Sequence, residues 1–143
     1  MADVAGWMRV AVKKRDAGAC VACGSRQWLT MQHRARVGMG GSSLAVGFPD
    51  LVAACVTCNE HFEAGGQTAA LVYGWKVRSW ADPCDVPVFY RRFDVWALLD
   101  LRGGLHTIDR DHATGRMRDA YGEEWGGWVA QLRRREETRG VGA

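Results

Sequence analysis

The spacing of apolar and polar residues predicts small elements in the first half of the chain. Helical spacing over 6–16 predicts a short N-terminal helix. QWLTMQH (27–33) alternates as a strand does, and PDLVAAC (49–55) predicts a second, brief extended or turn segment. NEHFEAGGQTAALVYG (59–74) predicts a helix, weakened in its middle by two glycines. These elements are short, so the fold needs further stabilisation.

The second half has a different pattern. DVPVFYRRF, VWALLDL and LHTIDR are apolar runs typical of strands, separated by turn sequences. The end of the chain predicts an amphipathic helix from about Trp125 to Glu137. We place a boundary at DPCDVP, so that 1–84 and 85–143 form two parts. The role of 105–143 stays open between a dimerisation element, a partner surface and a cap on the first part.

Composition and charge narrow the class of protein. The chain has 143 residues, 48% hydrophobic and 24% charged, which fits a globular protein. Residues 1–43 carry seven Lys or Arg against two Asp or Glu, whereas 44–143 carry twelve against fourteen. A locally basic segment favours a polyanionic partner. No apolar run approaches a membrane span and no secretory signal is evident, so we expect a cytoplasmic protein with no membrane partner.

Four of the five cysteines form two C-x-x-C pairs, Cys20 with Cys23 and Cys55 with Cys58. Each two-residue gap directs both sulfurs at one ion, and two such knuckles complete the tetrahedron that Zn²⁺ favours. The alternatives are buried reduced cysteines or two redox pairs, although no βαβ pattern supports a thioredoxin-like motif. A zinc ion held by four thiolates has no open position for water, so its role is structural and any chemistry lies elsewhere.

The order of motifs resembles the HNH endonuclease family, and more narrowly its phage-encoded members. The likeness runs through the first cysteine pair, QHRARVGMGGSS, DLVAAC and CVTCNEHFE, then YGWKV, DPCDVPV and WALLDLRGG, over roughly residues 13–104. The resemblance implies an α+β fold with a ββα-metal core held by the four-cysteine zinc knuckles, followed by a small β-rich segment and a C-terminal helix. It also implies phage genome processing or packaging, with terminase and portal as candidate partners.

The resemblance implies a set of catalytic residues for hydrolysing DNA phosphodiesters. The histidine at the strand end, His33, corresponds to the general base, and a neutral imidazole suits that role because its pKa lies near neutral pH. Asp50 stands where the family usually has an asparagine that fixes the loop orienting the base. Gln32, Asn59 and Glu63 stand at positions that hold one Mg²⁺ or Mn²⁺ ion. Asn59 and Glu63 are four residues apart, on one helical face.

Basic residues around these motifs are candidate contacts to DNA phosphates. Arg34 and Arg36 precede the glycine-rich loop, and Lys13, Lys14 and Arg15 lie near the end of the predicted first helix. Guanidinium and ammonium groups bind phosphate oxygens, and glycines allow a backbone to pass close to DNA. No recognition helix is evident, so we expect little sequence specificity.

Two departures from the family pattern leave a second function open. Gln32 replaces a charged ligand, and Asp50, an alternative ligand, cannot donate an amide N–H. Only Glu63 then brings negative charge to the ion, which predicts weak metal affinity and reliance on substrate phosphate. The alternative to a metal-dependent DNA endonuclease is a catalytically degenerate, zinc-stabilised module that binds DNA or protein.

Overall fold

A computed structural model describes residues 4–35 and 46–141, and within them the chain is a mixed α+β protein with two small sheets. In chain order the elements are α1 (Gly6–Arg15), β1 (Leu29–His33), β2 (Leu51–Cys55), α2 (Val56–Phe62), α3 (Gln67–Val72), β3 (Val88–Tyr90), β4 (Val95–Leu99), β5 (Leu105–Ile108), α4 (Arg110–Tyr121) and α5 (Glu123–Val141). The predicted first helix, first strand and second extended segment are confirmed, with bounds shifted by one or two residues.

β1 and β2 form an antiparallel pair whose two faces pack against different helices. His33 pairs with Leu51 and Gln32 with Val52. Leu51 belongs to a core cluster with Val12 of α1, whereas Val52 belongs to the main core, which includes Phe62 of α2. Because neighbouring residues of a strand point to opposite faces, His33 lies on the α1 side and Gln32 on the α2 side.

The single helix predicted over 59–74 is wrong in detail, because the chain forms two helices there. α2 begins at Val56, directly after β2, and ends at Phe62. The break includes Gly65 and Gly66, where the sequence indicates weakness. A Cβ on Gly66 would collide with the His61 ring and lie 2.9 Å from the His61 carbonyl oxygen, so glycine is favoured where the chain turns so closely past α2.

The three apolar runs of the second half form the predicted strands, in an antiparallel sheet of order β3-β4-β5. The main core joins residues from both sides of position 84: Cys20, Val52 and Phe62 lie in it with Val88 and Ala97. The boundary after residue 84 therefore marks a change of element type and does not separate two hydrophobic cores.

The end of the chain holds one helix that the sequence pattern does not predict. α4 is capped by Asp109, whose carboxylate accepts a hydrogen bond from the His112 N–H at 2.7 Å. It buries Ala113, Met117 and Tyr121, spaced four residues apart. Full burial of a methionine contributes about 1.5–3 kcal/mol, enough to offset a polar, glycine-containing sequence. α5 is longer than predicted at both ends. Across residues 4–35 and 46–141, no helix has the length and apolar character required to cross a bilayer.

Candidate metal centre and catalytic site

The four cysteine side chains converge on one point. Their sulfur atoms all lie within 4.8 Å of one another, and the Sγ atoms of Cys23 and Cys55 are 3.7 Å apart. A disulfide would bring two sulfurs to about 2.0 Å. Zn–S bonds of about 2.3 Å in a tetrahedron place sulfurs about 3.8 Å apart, close to the observed separation. The cluster therefore has the composition and spacing to hold a metal ion such as zinc.

Local backbone structure builds each knuckle. Cys20 starts a tight turn in which its carbonyl accepts from the Gly24 N–H at 2.9 Å, and Gly24 has a φ of +78°. A β-carbon on Gly24 would also press on the side chain of Arg92, so glycine is favoured twice at this position. In the second knuckle, Cys55 caps the N-terminus of α2 and its Sγ accepts from the Cys58 N–H at 3.4 Å. Such N–H groups stabilise a thiolate.

The pKa values of three of the thiols depend on the neighbouring thiols. Burial raises the pKa of Cys58 well above its ordinary value, and the neighbouring cysteines add to the effect. Burial and the other thiols also raise the pKa of Cys23. Burial acts to raise the pKa of Cys55 as well, but hydrogen bonds from Cys58 and the other thiols bring it below its ordinary value. Four thiolates this close repel one another, so full ionisation requires a cation between them.

His33 ends β1 with one ring nitrogen shielded from solvent. Its Nε2 atom is buried and has no hydrogen-bond partner among the described residues. Partial burial lowers the pKa of His33, the charge of Arg9 lowers it further, and Asp50 acts in the opposite direction. The imidazole is therefore neutral at physiological pH and can accept a proton. A buried nitrogen without a partner costs stability, so its position needs an explanation other than folding.

Gln32 and Asn59 lie on the other side of the sheet, where α2 packs. The Gln32 side chain is 3% exposed, and its Nε2 atom also lacks a partner in the described part of the chain. Asn59 donates from Nδ2 to the Thr30 hydroxyl at 2.9 Å, and Thr30 in turn donates to the Ala54 carbonyl. Thr30 and Gln32 share one face of β1, so Asn59 stands over the face that carries Gln32.

Glu63 is placed differently from its predicted role. It follows the last residue of α2, its side chain is largely exposed, and its carboxylate forms an ion pair with Lys76 at 3.0 Å. Over 4–35 and 46–141, the four cysteines are the only cluster of at least three His, Cys, Asp or Glu side chains that could hold an ion. The described residues therefore form no second cluster of three such side chains, and the Glu63 carboxylate is engaged by Lys76.

Asp50 organises the turn that precedes β2. Its carboxylate accepts from the Gly47 N–H at 2.7 Å, and its carbonyl accepts from the Arg34 N–H at 2.7 Å. The first bond uses the side-chain carboxylate, whereas the second uses the backbone carbonyl and does not depend on the side chain at this position. The same carboxylate acts on the charge of His33, which places Asp50 close to the imidazole.

Arg34 corrects our expectation of a phosphate contact. It is 1% exposed, and its guanidinium donates to four backbone carbonyls at 2.6–3.0 Å: those of Pro49, Gly74, Pro83 and Val86. Burial lowers the pKa of Arg34 to about 10, so it stays charged near neutral pH. With its donors directed at the protein backbone, Arg34 ties the end of β1 to the segment 74–86 and is not available to DNA.

The other basic candidates are either exposed to solvent or bonded within the protein. Lys13 and Lys14 are exposed on α1 and remain candidates for phosphate contacts. Arg15 is not, because it pairs with the buried Asp16 at 2.9 Å and donates to the Leu51 carbonyl at 2.6 Å. Arg36 and the loop GMGGSS lie outside the described residues.

Arg9 is a basic residue that sequence analysis missed. It is exposed on α1, and its charge lowers the pKa of His33, which places it near the imidazole. No motif marks Arg9, since it meets the strand end only through the packing of α1 on the β1–β2 pair. Helical spacing identifies α1 but does not give the direction in which Arg9 points.

Comparisons with known proteins do not assign this chain to a family. A scan against protein-family models finds no match for this chain, and searches of curated proteins and of solved structures find none either. What stands is a mixed α+β fold with a four-cysteine cluster that could hold zinc. The likeness to HNH nucleases remains a prediction from the sequence.

Proposed function

We propose that the protein is a DNA endonuclease that hydrolyses phosphodiester bonds with His33 as the general base. The observation that carries this proposal is His33 at the end of β1, whose Nε2 is buried and unpartnered among the described residues. Buried polar atoms without a partner are rare in folded proteins, and a catalytic role is one recognised reason for them. The chain order β1–β2–α2, with His33 at the end of β1, supports the HNH resemblance.

The chemistry asked of His33 fits its surroundings. Its neutral imidazole would take a proton from water as the water oxygen attacks phosphorus and the bond to the leaving oxygen breaks. The lowered pKa keeps the base form populated at neutral pH. Asp50 would hold the turn beside the imidazole through its bond to Gly47. Arg9, exposed nearby, would bind the substrate phosphate.

A catalytic cation would be weakly held. Gln32 and Asn59 offer neutral amide oxygens, and Glu63 offers a carboxylate only after leaving Lys76. Mg²⁺ or Mn²⁺ at these residues would stabilise negative charge on the phosphate and the leaving oxygen. Because two of these ligands are neutral and Lys76 holds the third, we propose that the ion binds together with DNA and depends on phosphate oxygens for affinity.

One observation favours a second candidate, a zinc-stabilised module that binds DNA or protein without cutting. Lys76 neutralises Glu63, the one charged member of the proposed ligand set. A protein that had lost its catalytic ion would tolerate this pairing. The phage-packaging setting, with terminase and portal as partners, rests on the sequence resemblance alone.

The experiment that separates the two candidates is a supercoiled-plasmid nicking assay. Zinc-loaded wild type, His33→Ala and His106→Ala are compared with added Mg²⁺, with added Mn²⁺ and with no added ion. His106 is an exposed histidine on β5, paired with Asp100 at 2.6 Å, so it controls for loss of an unrelated imidazole.

We expect ion-dependent nicking that persists in His106→Ala and falls at least about a hundredfold in His33→Ala, the usual effect of removing a general base. DNA binding without nicking in any ion, unchanged by His33→Ala, would establish the binding module instead. Nicking that survives His33→Ala would remove His33 from the mechanism.

A further inference from the structure

The last part of α5 lies outside the hydrophobic cores. Near its start, Trp125 is buried and its indole N–H donates to the Val72 carbonyl at 3.2 Å, which fixes α5 against α3. From 133 to 140 every residue is exposed. This segment, RRREETRG, contains no large apolar side chain, so an apolar partner has nothing to bury there.

The charges of this segment are sorted around the helix. Residues spaced i, i+3, i+4, i+7 and i+8 share one side of a helix. We define the basic face as Gln131, Arg134, Arg135, Thr138 and Arg139. Glu136 and Glu137 fall outside that arc, so the basic face carries three positive charges and no carboxylate. Within the described residues, the four ion pairs include no arginine of α5.

The helix dipole does not account for this pattern. Cations stabilise the last turn of a helix, and in α5 that turn contains only Arg139. Arg134 and Arg135 lie more than one turn earlier, where the dipole contributes little. Three like charges on one face repel one another, and a polyanion relieves that repulsion.

The basic face also lies beside the proposed nuclease site. The Nη1 atom of Arg135 is 3.5 Å from the carbonyl oxygen of Gly65, in the loop that follows α2. Gly65 is two residues from Glu63, and α2 carries Asn59. α5 continues for six residues past Arg135 to Val141. The arginines therefore begin at the end of α2 and lead away from it.

We propose that the basic face of α5 binds the phosphate backbone of duplex DNA. Residues 131–139 span about 12 Å at 1.5 Å per residue, and a duplex carries about seven phosphates over that length. Arginine suits the contact because its planar guanidinium donates two hydrogen bonds to one phosphate. The inference rests on the proposed function only for the choice of DNA as the polyanion.

The test is binding of a fluorescein-labelled 20-base-pair duplex by fluorescence anisotropy, at 50–200 mM salt with zinc and no Mg²⁺ or Mn²⁺, so that no strand is cut. The variant is the triple Arg134→Gln, Arg135→Gln, Arg139→Gln. The matched control removes the same charge from three exposed arginines outside α5, at Arg102, Arg110 and Arg118. Circular dichroism checks that both triples keep their helix content.

We expect the α5 triple to lower the slope of log affinity against log salt by about 2.7, or 0.9 for each phosphate that the protein no longer neutralises. The control triple should change the slope by less than about one. Equal decreases in both triples would overturn the proposal, because they would report net charge and not a face. Binding of a polyglutamate peptide or an RNA hairpin as tight as binding of the duplex would overturn it too.

Failure of the nuclease proposal gives a different result. If the wild type never nicks DNA but the α5 triple binds DNA more weakly, the role of the basic face is supported and the protein is the binding module. If nicking depends on His33 but the α5 triple binds DNA as tightly as wild type, the nuclease proposal is supported and the role of the basic face is contradicted.

Discussion

The cysteine cluster and the end of β1 differ in whether their polar atoms have partners. At the cluster, four sulfurs converge within 4.8 Å, and backbone N–H groups support them at Cys23 and Cys55. At the end of β1, Gln32 and His33 each bury a nitrogen that has no partner among the described residues. The first arrangement stabilises the fold once an ion binds, whereas the second destabilises it. This difference directs the search for chemistry to His33, because a buried imidazole nitrogen without a partner costs stability and a catalytic role would account for that cost.

The largest expected effect is on the cluster. Cys55→Ser replaces a thiolate ligand by a hydroxyl that can still cap α2, so we expect it to abolish zinc binding and, with it, the cooperative unfolding transition. Structural zinc sites contribute on the order of 10 kcal/mol, as much as the total stability of many domains. Zinc content by atomic absorption and thermal unfolding by circular dichroism measure both. Cys84→Ser is the control, since Cys84 lies outside the cluster, and it should leave both unchanged.

Arg34 offers a contrast to the end of β1, because this buried side chain has hydrogen-bond partners for its guanidinium. Arg34→Met leaves carbonyls without their donor, and we expect the free energy of unfolding to fall by about 3–5 kcal/mol. Urea unfolding of the zinc-loaded protein measures the change. Arg34→Lys keeps the charge but cannot reach four carbonyls, so it should recover only part of the loss. Stability close to wild type in Arg34→Met would make Arg34 a candidate DNA contact again.

Arg9 tests the electrostatics around His33. Removing its charge in Arg9→Gln should raise the pKa of His33, so the acid limb of the nicking profile moves to higher pH. The salt slope for DNA binding should also fall by about one, as expected when one phosphate is no longer neutralised. Lys14→Gln on the same helix is the control. We expect it to change the salt slope and leave the pH profile in place, so a shift in both variants would contradict the proximity of Arg9 to His33.

The smallest expected effect is the contribution of His33 to the pH dependence of stability. Its folded pKa lies below the unfolded value of about 6.5, so the unfolded chain binds the proton more readily. Stability is therefore full above a pH of about 6.5 and is lost as the pH falls from there through the folded pKa. Acid also releases zinc, so the readout is the difference between wild type and His33→Leu at pH 7.5 and 5.5 in excess zinc. We expect the free energy of unfolding of His33→Leu, relative to that of wild type, to be higher at pH 5.5 than at pH 7.5.

Patterns of local spacing predict the elements that bury one clear face. The knuckles, β1 and the three strands of the second sheet follow from cysteine spacing and apolar alternation. α4 escapes this reasoning because its buried residues, Ala113, Met117 and Tyr121, stand in a polar sequence that contains Gly115. Their spacing of four residues and the Asp109 N-cap are the indications that the sequence offers.

The site is harder to predict, because its features depend on packing between distant segments. Nothing near Arg34 in the sequence reveals carbonyls contributed from residues 49, 74, 83 and 86, so its basic context suggests a DNA surface instead. Arg15 misleads for the same reason, since its buried partner Asp16 and the Leu51 carbonyl come together only in the fold. The pairing of Glu63 with Lys76 likewise joins two segments whose approach no motif indicates.

Equilibrium unfolding of zinc-loaded His33→Leu at pH 7.5 tests most directly whether the end of β1 is kept for chemistry. Leucine fits the surroundings on the α1 side, where Met31 and Leu51 are apolar, and it removes the unpartnered nitrogen. We expect the free energy of unfolding to equal or exceed that of wild type by up to about 2 kcal/mol. A loss of about 2 kcal/mol or more would show that His33 holds the fold together and would contradict its assignment as a residue kept for catalysis.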